Sequence, residues 1–78
     1  MKDLIEFIAR ALVENPDAVS VVEEESADGT LVVSLAAAPE DLGRIIGKQG
    51  RTAKAMRTLL NARASRENRR VRLQILEE

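Results

Sequence analysis

Leu4, Ile5, Ile8 and Leu12 recur at helical spacing, with Lys2, Glu6, Arg10 and Glu14 on the opposite side. This is the pattern of an amphipathic helix with its apolar stripe turned to a core. Asn15-Pro16-Asp17 ends it. Phe7, the only aromatic residue, lies at the border of the stripe and is assigned to the core, with a partner-binding edge as the alternative. The period then changes. Residues 18–25 alternate through Val19 and Val21 into acids, and residues 30–36 place Leu31, Val33 and Leu35 on one face, so both predict strands. Between them, Ala27-Asp28-Gly29-Thr30 holds an Asp-Gly pair suited to a tight hairpin turn. Glu23-Glu24-Glu25 reads as a solvated strand end that discourages edge pairing, and not as a metal site, because no other ligand type lies nearby.

Pro39 suits the first turn of a helix and Glu40 and Asp41 its positive end, which predicts a short helix from Pro39 to about Ile46, stopped by Gly47. A longer helix follows Gly50. Ala53, Met56, Leu59 and Leu60 cluster on one side of it and Arg51, Lys54 and Arg57 on the other, while Arg63 lies toward the apolar side and reaches solvent by extending its stem. From Arg70 to Glu77, Val71, Leu73 and Ile75 alternate with polar residues as a third strand. The order is α-β-β-α-α-β. Strands two and three, joined through two helices, are expected to lie parallel with a right-handed crossover. The predicted class is α+β: one domain over residues 1–78, with three helices on one face of a three-stranded mixed sheet.

Composition narrows the function. The 78 residues are 45% hydrophobic and 32% charged, which fits a soluble globular domain. Cysteine and histidine are absent, which removes disulfides, thiolate and imidazole metal sites, and the commonest general base. No secretory leader pattern opens the chain, because Asp3 and Glu6 interrupt its first residues, so a cytoplasmic location is expected. The net charge of −1 conceals a division. Residues 1–43 set ten acids against Lys2 and Arg10, whereas residues 44–76 set ten bases against Glu67 alone. Either the halves neutralise each other in the fold, or a basic binding surface sits on an acidic body.

Gly47-Lys48-Gln49-Gly50 joins the two later helices. Glycines let the backbone turn sharply and let a ligand approach it. The loop also opens a helix, whose free N–H groups and positive dipole end suit a phosphate. Lys48, with Arg51 or Lys54 beyond, adds full charge, and Gln49 can contact phosphate or sugar without reading sequence. Gly-x-x-Gly alone is a common way to connect helices, so its setting must carry the argument. A nucleotide-binding P-loop is excluded: only three residues separate Gly43 from Gly47, and Gln49 follows Lys48 where that loop requires Ser or Thr.

The stretch from Pro39 to Arg57, with Ile45-Ile46-Gly47-Lys48-Gln49-Gly50 between two helices, resembles the heart of a KH domain. The element order resembles its type II variant. The whole chain is similar to the bacterial single-KH proteins of the KhpA (YlqC) family. The resemblance implies non-catalytic binding of single-stranded RNA, with the loop clamping about four nucleotides by the backbone and the bases in a shallow apolar groove. By matching position Gly47, Lys48, Gln49 and Gly50 take the backbone role, with Arg44, Arg51 and Lys54 supporting it. One of Ile45 and Ile46 lines the groove and the other packs inward, the sequence not assigning which. With Phe7 as its only aromatic residue, the chain is a poor candidate for a stacking platform.

The resemblance further implies a homodimer, or a heterodimer with a larger KH-containing protein of the KhpB (EloR, Jag) kind, acting after transcription on RNA fate and cell shape. An interaction module with little RNA binding of its own is the alternative, and single-stranded DNA stays open as a ligand. No acid–base pair, nucleophile or metal cluster stands at a useful spacing, so neither an enzyme nor a cofactor is expected.

Overall fold

The computed structural model describes residues 1–76. Its elements are α1 (Lys2–Leu12), β1 (Ser20–Glu25), β2 (Leu31–Ala36), α2 (Leu42–Ile46), α3 (Arg51–Arg66) and β3 (Val71–Ile75), with single 3-10 turns at Pro16–Ala18, Pro39–Asp41 and Lys48–Gly50. The order is the one the hydrophobic periods predict. The helix expected from Pro39 begins as a 3-10 turn and becomes α-helical at Leu42. The third strand is shorter than expected, although the carbonyl of Arg70 and the N–H of Leu76 still bond to β2. Glu77, the predicted strand end, lies outside the described residues.

The sheet order is β1-β2-β3. β1 and β2 are antiparallel, with Val21 opposite Leu35 and Glu25 opposite Leu31. β2 and β3 are parallel, with Val33 beside Leu73. A chain that leaves β2 and returns parallel to it must cross over, and α2 and α3 form that crossover. The hairpin turns differently from a two-residue Asp-Gly loop. Ser26 N–H donates to Thr30 O at 2.8 Å and Gly29 N–H to Ser26 O at 3.0 Å, so three residues separate the last bonded pair, with Gly29 at φ 87°. Asp28 braces the turn, accepting from the Ser26 hydroxyl and the Thr30 N–H.

One face of the sheet carries Val21, Val33, Leu35 and Leu73 into a core with Ile5 and Ala9 of α1, Ile45 of α2, and Met56 and Leu60 of α3. The opposite face presents Val22, Glu24, Arg72 and Gln74 to solvent. Three assignments to the core fail: Leu12, the last residue of α1, is 38% exposed, and two others are more so. Phe7 is 75% exposed, because the seam of α1 against the sheet is Ile5–Ala9 and Phe7, two residues from each, lies behind it. Leu59 is 49% exposed, because the buried stripe of α3 runs Ala53, Met56, Leu60, Ala64 and leaves Leu59 at its margin. Arg63 does reach solvent, 3.6 Å from Glu67.

Tertiary polar contacts pin the helix ends. Glu23 Oε1 accepts from the Lys2 N–H at 3.2 Å and pairs with the terminal ammonium at 3.3 Å, a carboxylate at a helix N-terminus supplied from the strand beneath. Beyond α3, Asn68 adopts φ 55°, with its N–H on Ser65 O and the Arg69 N–H returning to Ala64 O. These two bonds form a Schellman closure, which lets the chain turn directly into β3.

Candidate nucleic-acid interface

α2 ends when Gly47 takes φ 77° and ψ 171°, a region essentially confined to glycine. The chain then makes one 3-10 turn, with Gln49 at φ 57° and Gly50 at φ 73°, and enters α3. Gly50 N–H donates to Gly47 O at 3.0 Å, which closes the turn on itself. Lys48 and Gln49 open it, so their N–H groups have no intrahelical acceptor. Both side chains are exposed, and the positive end of the 16-residue α3 lies immediately behind them. Gln49 is steadied from behind by Arg51, whose Nη2 donates to its Oε1 at 3.3 Å.

The charge division resolves toward a surface. Of the ten bases in residues 44–76, Arg44, Arg63 and Arg69 pair with carboxylates; among the described residues Lys48, Arg51, Lys54, Arg57, Arg66, Arg70 and Arg72 do not. Lys48, Arg51, Lys54 and Arg57 run from the loop along α3, all exposed. They form a stripe of cations without internal counter-ions, and phosphates are suitable partners for such a stripe.

Arg44 stands apart from this stripe. Its Nη2 lies 2.8 Å from Glu14 Oε1 and its Nε 3.5 Å from Asp41 Oδ1. Asp41 is the one buried charged residue among those described, and it also accepts from the N–H groups of Glu14 and Asn15 and from the Asn15 side-chain amide. Burial opposes ionisation of this carboxyl, but the Asn15 side chain, the two backbone donors and Arg44 outweigh it and hold its pKa below the ordinary carboxylate value. Asp41 therefore ties the end of α1 to the start of α2.

Ile45 is fully buried in the core, whereas Ile46 is half-buried beside Gly47. The sequence left this pair open, and the fold separates them. A groove that the sequence did not reveal runs between α3 and the edge strand β3, lined by Arg57, Leu60, Asn61, Val71, Arg72 and Leu73. Arg57 and Asn61 belong to the helix that starts at the loop, and Arg57 is shared between the groove and the cationic stripe. The signal was present only in topology: β3, paired on one side, had to leave its other edge open.

A family model described as KhpA/KhpB, KH domain, matches residues 2–75. The chain is 51% identical over 78 residues to the RNA-binding protein KhpA of Halalkalibacterium halodurans, an alignment covering 99% of this chain and 100% of that protein. It is 49% identical over 76 residues to the protein of that name from Clostridium acetobutylicum, covering 97% and 100%. With the Aquifex aeolicus counterpart it shares 47% over 77 residues, covering 99% and 96%. No solved structure matches it. The chain belongs to the KhpA/KhpB family of KH-domain proteins, whose members are binding proteins and not enzymes.

Proposed function

We propose that the chain binds single-stranded RNA without catalysis, clamping the backbone at Gly47-Lys48-Gln49-Gly50. The observation that carries this reading is the exposed glycine turn at the head of α3, followed by Lys48, Arg51, Lys54 and Arg57 with no carboxylate partner among the described residues. That the relatives are RNA-binding proteins favours RNA over DNA as the ligand. Ile46 then lines the floor of the base groove. The groove between α3 and the open edge of β3, lined by Arg57, Asn61 and Arg72 among others, offers a further surface for base edges.

A clamp of about four nucleotides binds weakly alone, and joining two such domains raises overall affinity by about 10²- to 10⁴-fold through effective concentration. We therefore assign the chain to a dimer, or to a pair with a larger KH-containing protein of the KhpB kind, acting in the cytoplasm as a post-transcriptional regulator or RNA chaperone with an effect on cell shape. The second reading is an interaction module with little RNA affinity of its own.

Replacing Lys48 and Gln49 together by aspartate separates the two readings. RNA binding in a mobility-shift assay is expected to vanish while circular dichroism stays native. Unchanged affinity would overturn the clamp. Sedimentation across a range of concentrations tests self-association, and a monomer at every concentration counts against the homodimer.

A further inference from the structure

Arg44 has a place beside the clamp but is held by an acid. It lies three residues before Gly47, on the same side of α2, whose last bond runs from the Gly47 N–H to Gly43 O at 2.9 Å. Helical side chains lean toward the N-terminus of their helix, and Arg44 leans that way, onto Glu14 and Asp41 and off the loop. Its two acids are not equivalent. Asp41 is buried and already accepts three other hydrogen bonds, so it is satisfied without Arg44. Glu14 has a 71% exposed side chain and, among the described residues, no other side-chain partner.

The placement of Glu14 is built into the fold. Its N–H donates to Asp41 Oδ1 at 3.2 Å and the next residue is bound to the same carboxylate, so the backbone that carries Glu14 is fixed beside α2. An exposed ion pair of this kind adds little to stability. Its effect falls on Arg44, whose guanidinium, unlike those of Arg51 and Arg57, is held by carboxylates.

We propose that Glu14 is an internal competitor for nucleic-acid phosphate, holding Arg44 off the clamp until a phosphate takes the guanidinium from it. The inference rests on the backbone-clamp reading above. Both states keep Arg44 paired, the Glu14 carboxylate it leaves is exposed enough for water to solvate it, and the fixed Asp41 serves as the pivot. The exposed Arg44–Glu14 pair sets the size of the effect: the strength typical of such pairs corresponds to a change of about 2- to 5-fold in affinity.

The test is a double-mutant cycle of Glu14→Gln and Arg44→Ala in the full chain, with a labelled pool of random-sequence single-stranded RNA as probe and affinity measured against salt. Glu14→Gln is expected to tighten binding about 2- to 5-fold at low salt. The gain is expected to shrink as salt rises, because the exposed Arg44–Glu14 pair that competes with the phosphate is itself screened. In the Arg44→Ala background the same change is expected to do nothing. Equal tightening with and without Arg44 would reduce Glu14 to a general negative charge and overturn the proposal, as would no tightening in a chain that binds the probe. Failure of every variant, including the wild type, to bind would overturn the clamp reading itself and the competitor with it.

Discussion

A Cβ placed on Gly47 would stand 2.7 Å from the Cβ of Thr52 and 2.9 Å from its backbone nitrogen. The first glycine of the loop is thus closed in by the first turn of the helix it leads into, whereas a Cβ on Gly50 would meet open space. The two glycines of one motif are glycine for different reasons, one for backbone conformation and close packing, the other for conformation alone.

Gly47→Ala is therefore expected to lose at least about 2 kcal/mol of stability, strain at a glycine-only conformation adding to the clash. Gly50→Ala should lose about 1 kcal/mol. Thr52→Ala in the Gly47→Ala background should restore part of the loss, since the side-chain clash goes but the backbone contact and the strain stay. Urea denaturation midpoints of the four chains check this ordering.

Acid should weaken the hairpin before it unfolds the domain. The Ser26 hydroxyl, followed by the Thr30 N–H, pulls the Asp28 carboxyl down to about 2 from an ordinary 3.8. A carboxyl with a depressed folded-state pKa contributes stability that is complete above its unfolded value and is lost as pH falls through the folded one. Asp28→Asn should thus be less stable than the parent at neutral pH, with the gap closing between about pH 3.8 and about pH 2. Asp41, also lowered, adds a loss of the same sign. Thermal melts of both chains across this range provide the measurement.

Phe7→Ser should leave stability within about 0.5 kcal/mol of the parent, as for other surface changes. Ile5→Ala, two residues away and fully buried, should lose about 2–5 kcal/mol. Chemical denaturation of the two variants separates the seam of α1 from its back.

Asn68→Gly should fold as stably as the parent, because the Schellman closure asks only for a left-handed residue at that position. Asn68→Val should lose about 1–2 kcal/mol. Thermal unfolding distinguishes the pair.

The elements could be read from the sequence because each writes its own period. The loop could be read because Gly47 and Gly50 bracket Lys48 and Gln49 at a junction of two helices. Phe7 and Leu59 were misplaced for a local reason: the width of a buried stripe depends on what lies against it, and Ala9 and Ala64, which let the helices approach closely, are weak signals beside a phenylalanine or a leucine. The partners of Arg44 were hidden for a longer-range reason. Glu14 and Asn15 meet Asp41 across 26 or 27 residues, a proximity made by packing α1 beside α2, and no spacing rule reaches that far.

The parallel pairing of β2 with β3 also sets an order of assembly. Loop, α2 and α3 all lie inside the connection that this pairing closes, so they have no complete support until Val71–Ile75 docks beside Leu31–Leu35. The β1–β2 hairpin can form early from neighbouring segments, whereas the β2–β3 pairing carries the loop-closure cost of the whole crossover. During synthesis, a ribosome that has released Lys48–Gly50 has made the loop without the strand that closes the crossover around it. The loop is therefore held in its final geometry only once β3 has docked, well after its own residues have been made.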